Sequence, residues 1–99
     1  DRPTAILASD SKLALEAFRA AKAHGLHVPR DLSLVTFDDA DWMSALSPAV
    51  TVLAQPAQDL GTEAMRMLAE RIAGRRQVRR RVFDMTLIER ESVAPPPAD

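Results

Sequence analysis

The sequence predicts an α/β domain: a mostly parallel sheet flanked by helices. Three observations carry that expectation. Short apolar runs alternate along the chain with segments of helical period. The first of those runs lack a polar face, as expected of parallel strands covered on both sides. Helix start and stop residues fall at the joints between them.

The elements follow in order. Pro3 precedes the apolar run Thr4-Ala5-Ile6-Leu7-Ala8, which reads as a strand. Ser9, Asp10 and Ser11 come next, and all three are favoured N-caps because a short side-chain oxygen can accept an orphan helix amide. From Lys12 to His24 the period is helical, with Ala14, Ala17, Phe18 and Ala21 on one stripe and Leu13 beside it. Gly25 suits the left-handed position that ends a helix, and Pro29 blocks a restart. Leu32 to Phe37 reads as a buried strand, followed by Asp38 and Asp39. Asp39 to Leu46 forms a short helix or an irregular loop, which Pro48 breaks. Thr51-Val52-Leu53 is another extended piece. Pro56 is pre-organised to be the first residue of a helix. Leu60, Ala64, Met67, Leu68 and Ile72 then mark one face of that helix, which Gly74 ends. Arg80 to Glu89 is strand-like with imperfect alternation, and Ala94-Pro95-Pro96-Pro97 is too rich in proline to pack regularly.

Composition narrows the function. The 99 residues suit one small domain or a piece of a larger protein, and a hydrophobic fraction of 46% fits a packed core rather than a disordered chain. Thirteen Lys and Arg against fourteen Asp and Glu leave a net charge of −1, which favours no polyanionic partner. With no cysteine there is no disulfide or thiolate site. No apolar run is long enough to span a bilayer, so no membrane partner is expected.

In open parallel sheets ligands bind beyond the carboxyl ends of the strands. Asp10 follows the first strand and Asp38 the second, so both are expected at that edge. Carboxylates there could act as a general acid and base, hold Mg²⁺, or accept hydrogen bonds from ligand hydroxyls. They could also simply cap the chain. For Asp10, capping and ligand contact are both open and can coexist. For Asp38 the residue pattern alone favours a turn cap. No nucleophile is paired with a base, and His24 and His27 lie at the opposite end of the strand-and-helix unit, so no catalytic residue is expected. Two aspartates on separate strands make a sparse metal site, and neither GxGxxG nor GxxxxGK[ST] occurs, so neither a metal nor a cofactor is expected. Trp42 could stack on a sugar or ring ligand, with packing under its loop the favoured alternative. The run Arg75-Arg76-Gln77-Val78-Arg79-Arg80-Arg81 reads as a solvated loop rather than a phosphate-binding surface, because it lacks aromatic neighbours.

Several stretches together carry a resemblance. HGLHVPRDLSLVTFDD (24–39) resembles the GL-V-P-D-SVVGFDD signature of the LacI/GalR family of bacterial transcription regulators. SPAVTVLAQPAQDLGTEAMRMLAERIAG (47–74) is similar to the family's SP-LTTV-QP--ELG segment. TAILASDSKLALEAFRAAKAHGL (4–26) is similar to its TAIFAANDLMALGALRAL-E-GL unit, and LIERES (87–92) to its closing L--R-S strand. The resemblance implies a type I periplasmic-binding-protein-like fold, of which this chain would be the C-terminal portion of the effector-binding domain. Residues 1–53 would supply a βαβ part of the C-terminal subdomain, 54–93 a crossover, long helix and return strand, and 94–99 a proline-rich tail. It implies a small effector, a sugar or related polyol, bound by Asp38 and reached by Gln55; Asp10 at the same edge and Trp42 beside the acidic pair complete the expected effector-binding set. It implies a cytoplasmic homodimer packed through Leu15 and Leu46, and operator DNA bound by an N-terminal domain absent from this chain. The alternative, which shares the core, is the sugar-binding component of an uptake system. Four departures from the pattern matter: Asp10-Ser11 replaces an Asn-Asp pair, Thr36 and Glu16 replace glycines, and Ala57 replaces an aromatic residue.

Overall fold

A computed structural model describes residues 2–98. Four strands form one sheet in the order β1 (Ala5–Ala8), β2 (Ser33–Phe37), β3 (Thr51–Ala54), β4 (Thr86–Ile88). β1 pairs parallel with β2 and β2 with β3, while β4 runs antiparallel to β3. Helix α1 (Ser11–Ala23) makes the crossover from β1 to β2, a short 3₁₀ helix (Asp41–Ser44) lies between β2 and β3, and helix α2 (Ala57–Ile72) separates β3 from β4.

α1 begins and ends as its residues dictate. Asp10 Oδ1 accepts the Leu13 amide at 2.8 Å. At the other end Gly25 adopts φ 71°, which lets the Leu26 amide reach the Ala21 carbonyl at 2.9 Å and the Gly25 amide reach that of Lys22 at 3.1 Å. These two bonds satisfy carbonyls that a helix end otherwise strands. Pro56, expected as the first helical residue, is instead the cap of α2, which starts one residue later at Ala57.

The core lies on one face of the sheet. Ala8, Leu34, Val50 and Val52 pack with Ala14 of α1 and Met43 of the 3₁₀ helix, and Phe18, Val28 and Leu46 close its margins. The strand alternation sends Leu7, Val35, Phe37, Leu53 and Leu87 to the other face. There Leu7 and Leu87 are exposed and the rest half-buried. The sequence predicts helices on both faces, but only one is covered. The reason is that α2 packs closely against no other element and projects away from the sheet. Its apolar residues Met65, Leu68 and Ile72 face solvent.

The expected strand 80–89 shortens to Thr86–Ile88. The arginines before it fold back along α2 instead. Glu70 pairs with Arg66 at 2.6 Å, Arg79 at 3.3 Å and Arg75 at 3.5 Å, and Glu63 pairs with Arg66. Hydrogen bonds from the Arg66 guanidinium hold the Glu63 carboxyl below its ordinary pKa.

Beyond β4 the chain stays on the sheet. Ser92 is fully buried; its hydroxyl donates to the Leu34 carbonyl and accepts the Thr51 amide at 2.9 Å. The Ala94 amide donates to Ser33 Oγ at 3.0 Å, so the first residue of the proline-rich tail is anchored. Among the described residues no buried side-chain polar atom lacks a partner.

Candidate functional site

Three parallel strands bring their carboxyl ends to one edge, and a residue just beyond each end meets the others there. Ser9 follows β1, Asp38 follows β2 and Gln55 follows β3. Together they border a cleft of about 400 Å³, whose apolar wall comes from Phe37, Pro56, Leu60, Phe83 and Met85. Leu60 comes from the first turn of α2, while Phe83 and Met85 come from the segment returning to β4. The Arg81 guanidinium stands 5.1 Å from the Phe83 ring centre.

Asp38 is placed by its backbone. Its φ of 69° is left-handed, a conformation few residues other than glycine adopt, though aspartate tolerates it better than most. The chain reverses there while the Asp38 amide donates to the Leu53 carbonyl at 2.9 Å. Gln55 Nε2 donates to the Asp38 carboxylate, so two of the expected site residues are joined directly. Both remain partly open to solvent.

The other expected site residues are distributed differently. Asp10 caps α1 and is half-buried; the cleft border after β1 is its neighbour Ser9. Trp42 lies on the 3₁₀ helix, is 37% exposed, and does not line the cleft. Leu15 is half-buried on α1, and half-buried Leu46 leans on the core.

Asp39 and Arg90 form a pair that the residue pattern did not single out. Asp39 Oδ1 and Oδ2 accept from the two terminal nitrogens of Arg90 at 2.9 and 2.8 Å. The Ala40 amide adds a third bond to Oδ1 at 3.0 Å. The Arg90 hydrogen bonds hold the Asp39 carboxyl below its ordinary pKa, and the same pairing raises that of Arg90. The only hint in the sequence was the arginine of the closing L--R-S stretch. The wall residues Phe83 and Met85 were missed because the pattern places them in a strand, whereas they lie in the irregular segment before β4.

Chemically the cleft offers one carboxylate, one carboxamide and one hydroxyl against an apolar wall. No histidine or lysine lines it. Among the described residues no three His, Cys, Asp or Glu side chains gather to hold a metal ion, and no helix is long and apolar enough to cross a membrane.

A cleft bordered by polar side chains at the carboxyl ends of parallel strands is the usual ligand position of an open α/β sheet. The sequence pattern of the periplasmic binding protein-like domain is matched over residues 1–93. The chain is 43% identical over 96 residues to a probable opine utilization operon repressor of Rhizobium rhizogenes, covering 95% of this chain and 48% of that protein. It is 38% identical over 97 residues to the HTH-type transcriptional repressor PurR of Klebsiella pneumoniae, covering 97% of this chain and 28% of the repressor. A LacI family transcriptional regulator from Enterococcus faecalis, solved with bound ribose, superposes with a TM-score of 0.90 at 31% identity over 96% of this chain and 36% of that one. The chain therefore belongs to the periplasmic binding protein-like domain family, and the relatives it matches are LacI-type transcription regulators. It spans about half the length of the first of these relatives and under a third of the second.

Proposed function

We propose that this chain supplies one side of the effector cleft of a sugar-responsive transcription regulator. The observation that carries the reading is the convergence of Ser9, Asp38 and Gln55 at the carboxyl edge of the sheet, facing an apolar wall. In this reading the Asp38 carboxylate accepts hydrogen bonds from effector hydroxyls, and Gln55, already donating to it, holds its orientation. Asp10 contributes from the rim with Oδ2, because Oδ1 is used in capping. The likeness to repressors favours a regulator over an uptake protein sharing the same core. In this reading the cleft binds rather than catalyses, as in the repressors it resembles.

The remainder of the reading concerns the whole protein. It works in the cytoplasm, binds operator DNA through a domain outside this sequence, and dimerises with Leu15 and Leu46 at the contact. Residues 1–53 belong to one subdomain of the cleft, and α2, reached by the crossover at Ala54-Gln55, belongs to the other. Its detachment from the sheet supports that division.

Calorimetric titration of the full-length parent with ribose, glucose and cellobiose tests the reading. Saturable binding of one of these, weakened by about one to two orders of magnitude in Asp38→Ala, is expected from the loss of charge-assisted hydrogen bonds. Sugar affinity unchanged in that variant, or no sugar bound by the parent, overturns it.

A further inference from the structure

We propose that Arg90 is a positioning residue for the cleft: through Asp39 it holds the turn that presents the Asp38 carboxylate. The inference rests on the effector reading of Asp38 for its functional consequence, and on geometry alone for the positioning.

Asp38 occupies a left-handed backbone conformation that a side chain does not favour. Something beyond the residue must therefore keep the chain turned there. On the strand side the Asp38 amide is tied to the Leu53 carbonyl at 2.9 Å. On the loop side the next residue, Asp39, has its carboxylate engaged by the Arg90 guanidinium through two parallel bonds of 2.9 and 2.8 Å. The Ala40 amide at 3.0 Å is its one other partner among the described residues.

Arg90 is well placed to serve as an anchor. Its amide donates to Thr51 Oγ1 at 2.9 Å, and its guanidinium also donates to the Val50 carbonyl at 3.0 Å. Its side chain is only 15% exposed. The start of β3 thus fixes the arginine, the arginine fixes Asp39, and Asp38 is one peptide bond away. The two charged residues are 51 positions apart in the chain, so the contact closes the loop from outside. A planar guanidinium can make both parallel bonds and still reach the carbonyl; a lysine ammonium is a single point charge that cannot reproduce the fork. Neither Arg90 nor Asp39 lines the cleft, so the effect on a ligand must pass through Asp38.

The test uses the full-length parent and its Arg90→Lys, Asp38→Ala and Asp39→Arg/Arg90→Asp variants. D-ribose titrated by calorimetry is one readout, and hydrogen exchange of the peptide covering residues 37–41, without sugar, is the other. In Arg90→Lys we expect ribose affinity to fall about tenfold. Exchange at 37–41 should quicken at least tenfold, well beyond the change in β2 and β3, where only the small loss of global stability from the broken pair is felt. The charge-swapped pair should recover part of both losses. Exchange at 37–41 unchanged in Arg90→Lys overturns the inference whether or not ribose binds. So does quickening spread evenly over the sheet, which marks a merely structural pair. Ribose affinity lost in Asp38→Ala but kept in Arg90→Lys also overturns it, and leaves the effector reading standing. If Asp38→Ala keeps its affinity, or the parent takes no ribose, the effector reading fails in that respect and the exchange measurement alone decides the positioning.

Discussion

Asp10 and Asp38 each follow a parallel strand, and substitutions can separate what the two carboxylates do. Asp10→Ala removes the oxygen that accepts the Leu13 amide, and should cost the full-length parent about 1 kcal/mol in thermal unfolding. Asp10→Asn keeps the cap, since asparagine serves there equally well, but replaces an ionised acceptor with a group that also donates. We expect it to leave the melting temperature unchanged and to shift sugar affinity several-fold; affinity identical to wild type would confine Asp10 to capping. Asp39 supplies a pH dependence. Its carboxyl is depressed by the Arg90 hydrogen bonds, so the folded state holds its proton more weakly than the unfolded chain. The stability it contributes is therefore fully present above the ordinary aspartate value of 3.8 and is lost as pH falls through the lower folded value. Denaturant unfolding followed from neutrality into that acid range should show a shallower acid loss in Asp39→Asn than in wild type. Equal slopes would mean that the pair is not felt in the unfolding equilibrium.

At the scale of elements, local chemistry was readable and remote chemistry was not. Gly25 announced the end of α1, Pro56 the approach of α2, and the apolar runs the three parallel strands, because each of these depends on neighbours within a few residues. The expected strand 80–89 shortened to Thr86–Ile88 for the opposite reason. Its β-branched residues suggest a ladder, but Arg81 at its start, like Arg75 and Arg79 just before it, pairs with a glutamate on α2, and that pairing cannot be seen by reading along the chain. The cleft was half legible: Asp38 and Gln55 could be placed from strand ends and family pattern, whereas Phe83 and Met85 arrive from an irregular segment. The basic run bears a prediction of its own. With several of its arginines matched to glutamates on α2, Arg75→Gln/Arg79→Gln should leave operator affinity of the full-length parent near wild type. A large loss, with a shallower dependence on salt, would mean that these side chains neutralise phosphates.

The whole molecule is extended. Its radius of gyration is 18.2 Å and its principal extents 62 × 25 × 19 Å, where a compact chain of this length has a radius of about 13 Å. The excess comes from α2, whose Met65, Leu68 and Ile72 stand in water, and exposed apolar surface costs about 25 cal/mol per Å². The 99-residue chain by itself should associate, with sedimentation coefficients rising with concentration, and Met65→Gln/Leu68→Gln/Ile72→Gln should reduce that rise. A monodisperse monomer at every concentration would show that the stripe finds cover within the chain. The antiparallel ladder of β3 and β4 also has a topological consequence. The chain leaves the sheet after Ala54 and re-enters at Thr86, directly opposite. Everything between, the long helix and its arginine loop included, is formally the turn of a β-hairpin that has grown to carry a helix. An Asn-Gly turn spliced across that gap would therefore close the sheet without altering its strand order, leaving the four strands, α1 and the Arg90–Asp39 clamp as a smaller domain in their own right.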